Sequence, residues 1–220
     1  PEIAGYEVSG LNIPARHVSG DYFDYLRIDE HHWGLAIADV SGKGIPAALI
    51  TGMCRSLLRA AAPGCTSAAE VMRAVNRRLY PDIKQDMFVS MLYVVIDTRT
   101  SDVTLARAGH DPPLLYRATG REVVTLRPPG MAVGIDSGNV FDRVIAEETV
   151  TLASGDGILL YTDGATEALD AHGSEFGLPR LIQAVQANAP KGAAATVSNI
   201  AAELREFAGQ SAQHDDITLI

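Results

Sequence analysis

The stretch Trp33-Gly34-Leu35-Ala36-Ile37-Ala38-Asp39-Val40-Ser41-Gly42-Lys43-Gly44 decides the fold of this chain. Its opening residues are largely apolar and predict a buried strand that ends at Asp39. A helix is predicted directly afterwards, over 45–61, because apolar residues recur there with helical spacing and Pro46 suits a first turn. A carboxylate that ends an apolar strand is costly to bury without a partner. The stretch therefore places the Asp39 carboxylate, which needs a partner, at a strand-to-helix junction.

Three further segments put aspartate near glycine or beside a predicted strand end. They are Ser19-Gly20-Asp21-Tyr22-Phe23-Asp24, Tyr161-Thr162-Asp163-Gly164 and His214-Asp215-Asp216-Ile217-Thr218. Aspartate beside glycine is common in turns, so one such segment alone indicates a turn rather than a site. If the fold gathers all four segments, their oxygens form a strongly negative pocket that hard divalent cations stabilise. A pair of such cations is a standard device for hydrolysing phosphate esters.

Length and composition limit the class of protein. The 220 residues, 47% of them hydrophobic, suffice for one substantial core, and we expect a single domain over 1–220. A net charge of -9 argues against nucleic-acid binding. No apolar run approaches the ~20 residues of a membrane helix, and no secretory signal is evident. Two cysteines, Cys54 and Cys65, are too few for a disulfide scaffold, so we expect a reduced, cytoplasmic domain without membrane attachment.

The order of predicted elements indicates an α+β fold. Within the helix at 45–61, Gly52 is expected to allow close packing or a bend. Three further helices are predicted: one that opens with the capping-box pattern Ser67-Ala68-Ala69-Glu70, and two with apolar stripes at 178–185 and 197–207. The predicted strands lie at 6–13, 21–28, 33–38, 88–96, 103–108, 114–116, 140–152, 157–162 and 217–220. Strand runs joined by short turns imply antiparallel pairing. Helix pairs set apart from strand runs imply helices that cover sheet faces. We therefore predict a four-layer αββα sandwich of two mainly antiparallel sheets flanked by helix pairs.

Other catalytic patterns do not fit the chain. Gly42-Lys43-Gly44 lacks the remaining residues of a phosphate-binding P-loop, and no Gly-x-Ser-x-Gly elbow occurs. Neither cysteine begins the Cys-x5-Arg loop of thiol phosphatases. His110 follows a predicted strand, and as a lone histidine it is expected to order a loop by hydrogen bonding.

Five ordered motifs resemble the bacterial SpoIIE/RsbU-like branch of the PPM (type 2C) metal-dependent protein serine/threonine phosphatases. The motifs are Pro14-Ala15-Arg16 with Gly20-Asp21-Tyr22-Phe23-Asp24; Ala38-Asp39-Val40-Ser41-Gly42-Lys43-Gly44 with Ala47-Ala48-Leu49; Ala108-Gly109-His110-Asp111-Pro112-Pro113-Leu114-Leu115; Gly155-Asp156 with Tyr161-Thr162-Asp163-Gly164-Ala165-Thr166-Glu167-Ala168; and Asp215-Asp216-Ile217-Thr218-Leu219. The resemblance covers nearly the whole chain, and the αββα sandwich of that family agrees with the predicted element order.

The resemblance implies roles for the aspartates. Asp39 is similar to the carboxylate that bridges two metal ions, with Asp21 and the Val40 carbonyl on one ion and Asp163 and Asp215 on the other. Asp216 is expected to substitute for Asp215 or to support it.

Asp24 is expected to support the metal ligands, with binding through water left open. Arg16 lies near Asp21 in the sequence and is a candidate to contact the substrate phosphate, but the spacing alone does not assign that role. No histidine adjoins Asp39 along the chain, so the proton donor to the leaving group is unassigned.

The resemblance further implies a phosphatase with two divalent cations, Mn²⁺ or Mg²⁺. Its expected substrate is a phosphorylated STAS-domain anti-sigma-factor antagonist. We expect an upstream sensor or receiver domain in a longer protein, and a homodimer is left open. Two alternatives stay open: a non-catalytic phosphoprotein-binding module of the same fold, and a metal-dependent hydrolase of small phosphate esters or nucleotides.

Overall fold

The computed structural model describes residues 1–15, 19–42, 44–84 and 86–220 of the chain. In chain order the elements are β1 (Leu11–Ile13), β2 (Asp21–Arg27), β3 (His32–Val40), α1 (Ile45–Ala61), α2 (Ala68–Leu79), β4 (Val89–Asp97), β5 (Asp102–Ala108), β6 (Leu114–Arg117), β7 (Glu122–Thr125), α3 (Phe141–Val144), β8 (Glu147–Thr151), β9 (Gly157–Leu159), α4 (Asp163–Thr166), α5 (Gly177–Asn188), a short 3-10 helix (Ala189–Lys191), α6 (Ala193–Ala208) and β10 (Ile217–Leu219).

These elements form two compact units. We call them the central unit (Val18–Asp111 and Arg127–Leu152) and the terminal unit (Pro1–His17, Pro112–Leu126 and Ala153–Ile220). Each unit has its own apolar core, formed by its own strands and its own pair of long helices.

The central unit is built on a five-stranded sheet in the order β2-β3-β4-β5-β8, in which every neighbouring pair is antiparallel. Side chains alternate between the two faces of a strand. Ala36 and Ala38 of β3 share a core with Leu58 of α1 and Met72 of α2, so even-numbered residues of β3 lie on the helix-covered face. Asp39 therefore lies on the opposite face.

The terminal unit contains a three-stranded antiparallel sheet in the order β7-β6-β9 and a two-stranded pair of β1 and β10. The helices α5 and α6 bury apolar stripes that include Leu181 and Ile200 against this unit's strands. Asp156 anchors the turn before β9, since its carboxylate accepts hydrogen bonds from Ala118 N at 2.8 Å and Arg117 Nη1 at 2.7 Å. Burial acts to raise the pKa of Asp156, but these hydrogen bonds outweigh it and leave the pKa below its ordinary value.

Several predicted elements are confirmed. The first helix has the predicted bounds, and all the named strand pairs are antiparallel. The capping box is half formed: Ser67 Oγ accepts from Glu70 N at 3.2 Å, whereas the Glu70 carboxylate accepts from Arg73 instead.

The strand predicted over 140–152 is wrong in its first part. Asp136 Oδ1 accepts hydrogen bonds from the backbone nitrogens of Gly138, Val140 and Phe141, which starts one turn of helix as α3. Phe141 is fully buried by this turn, so its apolar character reflects helix packing and not strand alternation. Only β8 remains of the predicted strand.

Within the described residues, no helix combines the length and apolar character needed to cross a membrane.

Gly52 offers a direct stability test on α1. It is exposed, and no described heavy atom lies within 4 Å of the position that a Cβ would take, so the close packing expected there does not occur. Gly52→Ala is expected to stabilise the protein by about 1 kcal/mol, because alanine lowers the backbone entropy cost of a helix interior. Urea denaturation of both proteins measures the change. A loss of stability would show that Gly52 is needed for a bend in α1.

Candidate metal centre

The central unit places Asp21 and Asp39 side by side. Asp21 begins β2, and the antiparallel register makes it the direct partner of Asp39 on β3. Directly opposite side chains lie on the same face with Cβ atoms about 4.5–5.5 Å apart. Asp21 is only 8% exposed and Asp39 is partly buried. Like charges directly opposite are unfavourable in a sheet, and a cation between them relieves the repulsion.

The loop after β3 is held in place on both sides. Ser41 N donates to Phe88 O at 2.9 Å, and Phe88 N donates to Ser41 Oγ at 2.7 Å. Gly42 and Gly44 have φ values of +91° and +81°, which allow the sharp turn into α1. Thr51 Oγ1 of α1 donates to Gly20 O at 3.1 Å, next to Asp21. The backbone around Val40 is therefore fixed relative to both aspartates.

The strand neighbour of Asp39 on its other side is Ser90 of β4. Ser90 Oγ lies 2.8 Å from His110 Nδ1, and His110 is only 3% exposed. Sequence reasoning found no histidine next to Asp39 because 70 residues lie between it and His110 along the chain. The only signal was that Ser90 is the polar exception in an apolar strand.

The terminal unit holds the other predicted ligands. Asp163 begins α4, directly after the fully buried Thr162. Thr162 N donates to Thr218 O at 3.1 Å, and Thr218 N donates to Thr162 Oγ1 at 2.9 Å. Gly164 lies so close to the backbone carbonyl of Asp216 that a Cβ would collide with its oxygen. These contacts tie the segment of Asp163 to the segment that carries Asp215 and Asp216.

Asp215 and Asp216 differ in their surroundings. Asp216 is buried, and its Oδ1 accepts from Ala15 N at 2.7 Å, which fastens the segment after β1. Asp215 is partly buried, and its Oδ1 accepts from Asp216 N at 3.0 Å. Asp216 thus has a hydrogen bond that fastens the chain, and whether it substitutes for Asp215 or supports it stays a prediction.

Asp24 lies away from the Asp21–Asp39 pair. It is three residues from Asp21 and so points to the other, helix-covered face of β2. Its oxygens accept from Arg59 Nε and Nη2, each at 2.7 Å, and from Tyr22 Oη at 2.6 Å. Burial acts to raise the pKa of Asp24, but the bonds from Arg59 and Tyr22 outweigh it and leave the pKa below its ordinary value. Asp24 therefore fastens α1 to β2.

The predicted site residues fall into two sets, one in each unit. The central unit contains Asp21, Asp39 and Val40, and the terminal unit contains Asp163, Asp215 and Asp216. Arg16 lies outside the described residues. Across the described ranges 1–15, 19–42, 44–84 and 86–220, no group of three or more His, Cys, Asp or Glu side chains is arranged to hold a metal ion.

The chemistry of the donors fits a hard divalent cation. The central set offers two carboxylates and the Val40 carbonyl, and the terminal set offers three carboxylates; such oxygens are the ligands that Mg²⁺ and Mn²⁺ prefer. The pairing of Asp21 with Asp39 concentrates negative charge on one face of the sheet.

Comparison with known proteins places the chain among relatives of one family. The family model described as Stage II sporulation protein E (SpoIIE) matches residues 29–220. Phosphoserine phosphatase RsbU of Bacillus subtilis (strain 168) is 30% identical over 221 residues, covering 100% of this chain and 64% of RsbU. The chain spans 38% and 37% of two further curated relatives, so it corresponds to part of their length.

Solved structures show the same fold. The SiaA-PP2C domain of Pseudomonas aeruginosa superposes with a TM-score of 0.84 and 24% identity over 96% of this chain and 83% of that domain. RsbX in complex with magnesium superposes with a TM-score of 0.67 and 18% identity over 96% of this chain and 90% of RsbX. The predicted α+β sandwich class is confirmed. Because the SpoIIE model matches most of its residues, the chain belongs to the SpoIIE family, the RsbU-like branch of the PPM phosphatases that its motifs indicated.

Proposed function

We propose that this chain is a metal-dependent protein serine/threonine phosphatase. The observation that carries the proposal is the Asp21–Asp39 pair, two carboxylates directly opposite each other beside a fixed strand-to-helix loop. Membership in the SpoIIE family supports it, as does the similarity to RsbU, which is named a phosphoserine phosphatase.

The residues suit a dinuclear centre of Mn²⁺ or Mg²⁺. When bound, two such cations supply a water of lowered pKa and positive charge for the phosphoryl oxygens. In the central unit the proposed ligands are Asp21, Asp39 and the Val40 carbonyl, and in the terminal unit they are Asp163 and Asp215. The magnesium in the RsbX structure supports this class of metal. The side chains of this protein then need only to orient the cations and to balance their positive charge. No nucleophilic side chain is needed.

The substrate we propose is a phosphorylated STAS-domain anti-sigma-factor antagonist in the cytoplasm. Residues 1–220 would act as one phosphatase domain, the C-terminal part of a longer protein with an upstream sensor or receiver domain. The domain could pair as a homodimer. Similarity to RsbU over only 64% of that protein's length is consistent with a chain that works beside another domain.

The proposal predicts multiple turnovers of a phosphoserine substrate. A phosphorylated STAS-domain protein, mixed with this chain and Mn²⁺ or Mg²⁺, is expected to release many phosphates per chain, because metal-assisted hydrolysis regenerates the site. Chelation with EDTA should reduce release to background, and added Mn²⁺ should restore it. Malachite-green detection of phosphate measures the rate.

Two matched reactions separate the alternatives. Binding of the phosphoprotein without any phosphate release would contradict the enzyme and favour the non-catalytic module. Faster release from nucleotides than from the phosphoprotein would favour a small-ester hydrolase.

A further inference from the structure

A row of polar residues crosses one face of the central sheet. Asp21 is the direct partner of Asp39, and Asp39 is the direct partner of Ser90, so the three side chains share a face and are neighbours across β2, β3 and β4. Their neighbours along the face are apolar, Ile37 on β3 and Leu92 on β4, and both are fully buried. The hydroxyl of Ser90 among these apolar neighbours therefore indicates that it has a polar partner.

His110 continues this row. Its Nδ1 lies 2.8 Å from Ser90 Oγ, and its imidazole is buried. Burying a polar ring is unfavourable unless it is hydrogen-bonded, and Ser90 provides a partner. A serine hydroxyl both donates and accepts, so it is suited to link an imidazole on one side with a carboxylate on the other.

The backbone that carries His110 is tightly constrained. Gly109 has a φ of +71°, and a Cβ there would lie 2.8 Å from Ala132 N. Arg107 Nη1 donates to His110 O at 2.8 Å, and Arg107 Nε donates to Pro128 O at 3.2 Å. Several independent contacts therefore fix the backbone that places the imidazole beside Ser90.

We propose that Ser90 and His110 form a hydrogen-bonded pair that positions the Asp39 carboxylate for a divalent cation. Ser90 and His110 are positioning residues that act through Asp39 and do not touch the metal. Partners that orient metal-binding side chains commonly change metal affinity by about 10–100-fold when they are removed. The inference rests on the proposed metal-binding role of Asp39, and it assigns a use to the histidine that the sequence left to loop ordering.

The test measures Mn²⁺ affinity by calorimetry, alongside melting temperature in EDTA and phosphate release. Ser90→Ala and His110→Ala are each expected to weaken Mn²⁺ binding by about 10-fold or more. The double variant should bind Mn²⁺ as tightly as whichever single variant binds it less tightly, because the same interaction is removed in all three proteins. His110→Asn, which keeps a polar atom near Nδ1, and Ser90→Thr, which keeps the hydroxyl, should recover part of the affinity.

Thr104→Ala is the matched control. It removes a hydroxyl of the same sheet that lies 2.8 Å from Thr149 Oγ1 and has no place in the Asp39 row, so Mn²⁺ affinity should stay at the wild-type value. Unchanged Mn²⁺ affinity in Ser90→Ala would overturn the inference, as would purely additive losses in the double variant. If His110→Ala fails to fold, the Mn²⁺ affinities of Ser90→Ala and Ser90→Thr decide the test. A wild-type chain that binds no Mn²⁺ would instead overturn the proposed function itself.

Discussion

Asp39→Asn is expected to reduce phosphate release by more than about 100-fold, since removing even a supporting partner of a metal ligand costs up to that much. Asparagine has nearly the same shape as aspartate, so the change removes one negative charge from the Asp21–Asp39 pair and leaves the strand register intact. Metal affinity should fall with the rate. The measurements are phosphate release over a range of Mn²⁺ concentrations and the rise in melting temperature that Mn²⁺ produces.

A chemically identical change elsewhere in the sheet controls for the substitution itself. Asp102→Asn lies at the far end of the β4–β5 pair and keeps an acceptor for Thr151 Oγ1, which donates to it at 2.5 Å. Its activity and Mn²⁺ response should equal those of the wild type. Asp39→Asn with wild-type turnover would contradict the assignment of Asp39 as a metal ligand.

Gly164→Ala is expected to destabilise the protein by about 2–3 kcal/mol, which is typical of an added carbon in a filled space. The added Cβ would collide with the Asp216 carbonyl oxygen and lie 2.9 Å from its carbon. Backbone atoms cannot move aside as a flexible side chain can, so the segment of Asp163 and that of Asp215 must shift apart. A displacement of about 1 Å in a reactive site can also lower the rate about 10²-fold.

Gly157→Ala in the same unit is the control for this second variant. No described heavy atom lies within 4 Å of the position of its Cβ, and we expect a stability change within about 0.5 kcal/mol. Denaturation in guanidinium measures both variants. Wild-type stability in Gly164→Ala would mean that the two segments are free to separate.

The local signals of the sequence proved the most dependable. The helix at Ile45–Ala61 and the cap at Ser67 were predicted from spacing and residue type alone, because neighbouring residues determine both. The failure over 140–152 has a local cause too. The side chain of Asp136 starts a helical turn in a segment whose apolar residues are typical of a strand, and the two patterns cannot be distinguished over so few residues.

The long-range partners could not be predicted in this way. The partner of Asp24 is Arg59, and the partner of Ser90 is His110. Each contact depends on which strands pair, in which register, and on which face the helices pack. Those choices follow from burying the apolar surface of the whole sheet at once.

The sequence by itself determined the ordered aspartate motifs, most of the element order and the antiparallel class, because residue type and short spacing encode them. The tertiary structure alone decided that Asp21, Asp39 and Ser90 stand in one row and that Asp24 turns to the helices. It did so because pairing positions side chains that are far apart in the chain, and a strand that shifts by one residue would send each of them to the other face.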